Sequence, residues 1–219
     1  MLNVDQAVVL RNKSKNGFLV VFSRRFGKII LRSKKMEDIV RLCCGMIFDF
    51  FYHETRKNYF LAEKVEVVFS PEKLDFPRLL WMHQVCELCY YFLPFSSPSQ
   101  ALFLYLRKTL YLILSLKCGQ YFNLTKKIIL LKTLEMLGFP SLKFVQLLSA
   151  CKFDLASSNI DFCLSPKVKS LKIVEKSRLR ELKDLEKEMD NYILECIQSH
   201  PLSKSFKAIY FPDVVFYKN

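Results

Sequence analysis

The spacing of apolar positions changes once along the chain. Through about the first 70 residues, apolar side chains come in short runs: Ala7–Leu10, Phe18–Phe22, Lys28–Arg32, Met46–Tyr52 and Phe60–Phe69. These runs are rich in β-branched and aromatic residues, and Asn16-Gly17 and Phe26-Gly27 supply turn residues between the first three. Val65-Glu66-Val67 alternates as a half-exposed strand does. Three closely spaced strands predict a meander, and five predict a small antiparallel barrel, of which the OB-fold is the commonest five-stranded kind. Phe18, Val20 and Phe22 alternate and are expected to face the barrel core.

After Ser70-Pro71 the spacing becomes helical, from about Phe76 onward. Pro77 opens a helix expected to run through Phe92 and to close at Pro94. Ser97-Pro98-Ser99-Gln100 reads as a capping box, with Ser97 as the cap of a long helix through about Lys117. Asn123 is placed to cap the next helix, which Leu137-Gly138-Phe139-Pro140 stops. A short helix is expected over Ser141–Cys151 and a polar loop over Asp154–Ser170. Over Ser177–Ile197, Leu179, Leu182, Leu185, Met189, Tyr192, Ile193 and Cys196 fall at three- or four-residue spacing among mixed charges, which predicts an amphipathic helix with a solvated outer face. The tail pattern at Ala208–Phe211 and Val214–Tyr217 fits either a strand or packing on the helices. The expected fold class is therefore α+β: a five-stranded OB-fold-like barrel over residues 1–72, followed by an all-α domain over 73–219.

Charge sharpens this picture. Lys and Arg number 34 against 21 Asp and Glu, a net charge of +13 that points to a polyanionic partner, either nucleic acid or an anionic membrane surface. Residues 1–35 concentrate nine basic positions, Arg11, Lys13, Lys15, Arg24, Arg25, Lys28, Arg32, Lys34 and Lys35, against one acid, Asp5. Phosphate contact needs only such charges, and displaced counterions provide affinity without sequence preference. These nine are the expected DNA-binding residues. Lys126, Lys127, Lys132 and Lys143 would extend the track across the helices, or else are ordinary surface lysines.

The start Met1-Leu2-Asn3-Val4-Asp5 has no secretory pattern, and Ala101–Leu116 is interrupted by Arg107-Lys108 and too short to cross a bilayer. A cytoplasmic chain is expected, with its eight cysteines reduced and mostly buried. His83-x2-Cys86-x2-Cys89 superficially has metal-ligand spacing, but three positions on one helix drift around its axis, so buried thiols are the better reading. No nearby histidine marks Cys43 or Cys44 as a nucleophile. There is no glycine-rich phosphate loop, no Gly-Lys-Ser/Thr and no close carboxylate cluster, so a non-enzymatic protein without cofactor or metal is expected.

The order of these features resembles the RecO family of bacterial recombination mediators. Gln6–Arg11 is similar to the family's opening strand, and Leu19–Lys28 to its second strand and following turn. Cys86-Glu87-Leu88, Pro94 and Ala101-Leu102-Phe103 resemble its first two helices, Leu134–Pro140 the end of its central helix, and His200–Ser205 its Pro-Leu-Lys-Ser segment. Two features depart from the family pattern: Ser14-Lys15-Asn16-Gly17 replaces a Gly-Glu pair, and a four-cysteine zinc finger is reduced to Cys151 and Cys163 in a degenerate loop around residues 148–170. The resemblance implies DNA repair and homologous recombination in the cytoplasm, associated with the nucleoid. It implies binding of single- and double-stranded DNA, annealing of complementary strands, and help in loading recombinase onto single strands coated by single-strand-binding protein. RecR and the acidic tail of that protein are the implied partners. The alternative expectation is a basic peripheral-membrane or protein-interaction module.

Overall fold

A computed structural model describes residues 3–13, 17–56, 59–116, 122–144 and 176–208. Its strands are β1 (Asn3–Lys13), β2 (Phe18–Ser23), β3 (Gly27–Ser33), β4 (Ile47–Arg56) and β5 (Tyr59–Phe69). They form a closed barrel in the order β1-β2-β3-β5-β4, the OB-fold-like architecture expected from the apolar runs. The three-stranded meander is antiparallel, β3 joins β5 in parallel through Leu31 and Phe60, and β4 closes on β1 with Ala7 opposite Phe48. A short helix that the sequence reading did not anticipate, α1 (Met36–Val40), links β3 to β4 and carries Glu37 and Asp38 in its first turn, where carboxylates complement the helix dipole.

The barrel interior holds Ala7, Val9, Leu19, Val21, Ile29, Leu31, Phe48, Phe50, Tyr52 and Phe60. This corrects the parity expected for β2. Leu19 and Val21 point inward, whereas Phe22 lies on the opposite face, where its ring centroid sits 6.2 Å from that of Phe103. Phe22 is fully buried all the same. Both parities of Leu19-Val20-Val21-Phe22 are apolar because both faces of the strand are covered, which leaves no alternation to read.

The cover comes from α2 (Phe76–Phe92) and α3 (Gln100–Ser115). Asp75 caps α2 by accepting from the Arg78 backbone N–H at 3.1 Å. Ser99, two residues beyond the expected Ser97, caps α3 by accepting from the Leu102 N–H at 3.2 Å. The register of that capping box fails because residues 97 and 98 are committed to β3: Ser97 and Pro98 backbone atoms lie where a Cβ on Gly27 would be. Gly27, with φ +73°, is thus required both by its conformation and by its neighbour.

This packing also moves the domain boundary. The chain divides into a unit of Met1–Ser115 with Lys204–Asn219 and a second of Leu116–Ser203, not at residue 72. The change from strand to helix is where the sequence places it, but the first two long helices belong to the same unit as the barrel. In the second unit, α4 (Phe122–Met136) packs with α5 (Lys176–Gln198), close to the amphipathic helix expected from its spacing. Ile129, Leu131 and Leu134 are buried there, as are Met189, Ile193 and Ile197. Asn123 lies inside α4 rather than capping it, and Leu142–Phe144 forms a single 3-10 turn. The expected continuation of that turn to Cys151, the loop with Cys163, and the tail beyond Ala208 lie outside the described residues.

The Phe22→Ala variant is expected to lose about 3–5 kcal/mol of stability in urea unfolding. A double-mutant cycle with Phe103→Ala should return a coupling of about 0.5–1.5 kcal/mol. Zero coupling would place Phe22 elsewhere than against α3.

Candidate nucleic-acid interface

The turn between β2 and β3 carries Arg24 and Arg25, and its shape is set by the one acid in the basic segment. Asp5, buried on β1, accepts hydrogen bonds from the Ser23 hydroxyl and from the Arg25 backbone N–H at 3.2 Å. Ser23 Oγ in turn accepts from the Phe26 N–H at 3.1 Å, and the Arg24 N–H donates to Gln6 O at 2.9 Å. Four polar contacts therefore fix four successive residues. Phe26 folds back over the barrel end, 4.6 Å from the Phe60 ring and 5.6 Å from Tyr52, edge-on to the latter. Both arginines are left exposed.

They border an open cleft of about 760 Å³ together with Gln6, Asp49, Gln100 and Arg107. Gln6 joins its two sides: its Nε2 donates to Asp49 Oδ1 at 2.9 Å, and its Oε1 accepts from Arg107 Nη1 at 3.4 Å. Arg107 stands on α3, so the cleft takes cations from both the barrel and its helical cover. Sequence reading treats Arg107 only as an interruption of an apolar run. That interruption is the signal that would have found it, since a charge inside an otherwise buried helix must reach solvent or a partner.

The remaining basic positions do not join this cleft. β3 separates Arg24 and Arg25 from Arg32, Lys34 and Lys35 by its own length, about 20 Å at 3.3 Å per residue. Lys34 pairs with Glu63 at 2.5 Å, while Arg32 and Lys35 are exposed. Lys13, opposite Phe18 in the β1–β2 register, lies at that far end, with its ammonium 5.6 Å from the Phe18 ring centroid. Arg11 is committed to α2: it sits 4.9 Å from the Tyr90 ring centroid and donates to Tyr91 Oη at 3.3 Å. Burial pulls the Arg11 guanidinium down, but the two tyrosines outweigh it and raise its pKa. Lys15 lies outside the described residues. The continuous basic track expected from the sequence is therefore divided between two ends of the barrel.

Lys28 departs furthest from expectation. It is buried, and its Nζ donates to Tyr90 O at 2.7 Å and Leu93 O at 2.5 Å while facing the Phe95 ring at 4.6 Å. Burial pulls its ammonium down to about 8, which leaves it charged at neutral pH. It therefore satisfies carbonyls at the C-terminus of α2, where a cation is favoured, and is not placed to contact phosphate.

The four lysines expected to extend the track across the helices are likewise buried or paired. Lys127 is buried, with Nζ 2.8 Å from Asp190 Oδ2 and 3.4 Å from Glu186 Oε2. Desolvation lowers its pKa, the two carboxylates more than restore it, and the net shift is upward. Lys132 pairs with Glu135 at 2.8 Å, Lys143 pairs with Glu188 at 2.9 Å, and Lys126 is buried. Among the described residues, no helix is long and apolar enough to cross a membrane, and no group of three or more His, Cys, Asp or Glu side chains is placed to hold a metal ion.

Lys28→Met should lower stability by about 1–3 kcal/mol, because two buried carbonyls lose their donor. Its affinity for oligonucleotides at low salt should equal that of the unmodified chain; a large loss of affinity with unchanged stability would return Lys28 to the interface. Set against protein-family models and against curated proteins, the chain matches none.

Proposed function

We propose that this chain binds DNA through the Arg24-Arg25 turn and the cleft it shares with Arg107. In this reading it acts as RecO-type mediators do, in DNA repair and homologous recombination. It anneals complementary strands and helps load recombinase onto single strands coated by single-strand-binding protein. The observation that carries this reading is the pair of adjacent, exposed guanidiniums on a turn held by Asp5, with a third cation across an open groove on an OB-fold-like barrel. Guanidiniums suit phosphate because their planar forks match its oxygens, and a pre-set turn spares the ordering cost of binding. Arg32 and Lys35 at the far end of β3 offer a second contact to a strand that follows the barrel surface. A RecR-type subunit and the acidic tail of single-strand-binding protein are the proposed protein partners, and the proposed site of action is the nucleoid.

The role is proposed without chemistry on the strand. Annealing requires only that two polyanions be brought together with their charges neutralised, which a cationic surface achieves by releasing counterions. No nucleophile or metal is needed for that step.

Replacing Arg24 and Arg25 together by Glu should weaken binding to a fluorescent single-stranded oligonucleotide at least tenfold and abolish ATP-independent annealing, with the thermal melt nearly unchanged. The slope of log affinity against log salt should fall by about 1 to 2, since each phosphate contact contributes about 0.7 on single strands. Asp5→Ala tests the turn itself. A charge-only view predicts tighter binding once an acid is removed, whereas loss of the turn predicts weaker binding. Binding to anionic vesicles that outcompetes the oligonucleotide would sink the DNA reading and favour a membrane surface.

A further inference from the structure

Along α2, Gln84, Glu87 and Tyr91 follow one another at three- and four-residue spacing and so share a face. A segment from the far end of the chain lies across that face. After the 3-10 turn at Ser203–Ser205, the Tyr91 hydroxyl donates to Ser205 O at 2.8 Å, the Lys207 N–H donates to Glu87 Oε1 at 2.6 Å, and Gln84 Nε2 donates to Ala208 O at 3.1 Å. Segment and helix run antiparallel, since Ser205 meets Tyr91 and Ala208 meets Gln84. Seven residues of helix advance about 10 Å, and three residues of near-extended chain cover the same length, so the partners stay in step. All three bonds end on main-chain atoms of the segment. Of Lys204–Ala208 only Phe206 is buried, with its ring centroid 4.2 Å from that of Tyr91 and 5.8 Å from that of Phe92. Main-chain bonds that fix a backbone, with one aromatic side chain as anchor, are how a protein groove holds a peptide. Ser205, Lys207 and Ala208 also line, with Cys43, Cys44 and His83, a pocket of about 390 Å³, so the segment forms part of its wall.

We propose that this face of α2 is a peptide-docking groove and that a second copy of the chain inserts its own arm, Lys204–Ala208, there in exchange for the resident one. The arm belongs to the unit of Met1–Ser115 although the whole of Leu116–Ser203 stands between them in the chain. Its hold on α2 therefore comes from contacts alone and not from sequence neighbourhood, and an arm from a second copy makes the same contacts without loss. The grip is small. One buried ring and three hydrogen bonds hold it, while Lys204, Ser205 and Lys207 are exposed. Glu87, the one acid on α2, complements the positive charge that Lys204 and Lys207 bring. Tethering keeps the arm at home in dilute solution, because an arm on its own chain is present at an effective concentration on the order of millimolar. A net charge of +13 acts in the same direction by holding dilute copies apart. Copies crowded to the tethered concentration exchange arms.

Full-length Phe206→Ala keeps the groove and loses the anchor of its own arm. It should bind a fluorescent peptide spanning Lys204–Asn219 saturably below about 1 mM, read by anisotropy. The intact chain, whose own arm competes, should bind that peptide roughly tenfold or more weakly. The same peptide carrying Phe206→Ala should bind neither chain. Adding Tyr91→Phe to the receptor, which removes the hydroxyl that donates to Ser205, should weaken the peptide severalfold. No saturable binding by a folded Phe206→Ala chain up to about 1 mM, or equal binding by both chains, overturns the groove. Sedimentation tests the second copy: near about 1 mM the intact chain should form a dimer that excess peptide dissolves and that Phe206→Ala does not form. A chain that stays monomeric there, or a dimer that Phe206→Ala forms equally, overturns the exchange. Should Phe206→Ala melt early, Phe206→Leu replaces it as receptor, and the dimer of the intact chain decides in either case.

Discussion

Strands β1, β2 and β3 are buried on both faces, and the arrangement of the rest of the first unit follows from that constraint. A small barrel usually leaves its outer surface to water, so its strands alternate. Here α2 and α3 lie on that surface, and Phe22, Val8 and Leu10 are as buried as the interior residues Leu19 and Val21. Close approach demands the absence of side chains at two positions, Gly27 beneath residues 97 and 98 and Gly45 beneath Met82. It also leaves the C-terminal carbonyls of α2 away from water, where the Lys28 ammonium satisfies them. A cation that composition assigns to the surface is thereby drawn into the fold.

The same cover decides which charges can act together. Of the basic residues in the first strands, Arg11 and Lys28 face α2 and are occupied by its tyrosines and carbonyls, and Lys34 is paired with Glu63. Arg24 and Arg25 lie beyond the helices on a turn that Asp5 and Ser23 hold, and α3 adds Arg107 from the other side. A net charge of +13 describes the chain, but the groups available to a polyanion are those left over once the fold has used the others. The buried acid is as much a part of this surface as the exposed bases, since two of the four contacts that hold the turn end on it.

On the face covered by α2, tight packing leaves a second pocket. Pressing the turn that contains Cys44 onto a helix places Cys43, Cys44 and His83 around one pocket of about 390 Å³. The two sites lie on one unit yet share no residue, so the cationic cleft and the thiol pocket can be altered separately.

The strand runs, the change of period after Ser70-Pro71, the amphipathic span of α5 and the concentration of positive charge near the start can all be read along the chain. Each of these depends on local spacing or on charge, and both are legible in a linear string. Whether Phe22 faces the barrel or a helix, whether Lys28 meets phosphate or a carbonyl, where the units divide, and that Arg107 and His83 belong beside Arg24 and Cys44 were decided only by the tertiary structure. A strand with apolar residues at both parities carries no record of its inner face. A charged side chain carries none of the partner that long-range packing will bring to it.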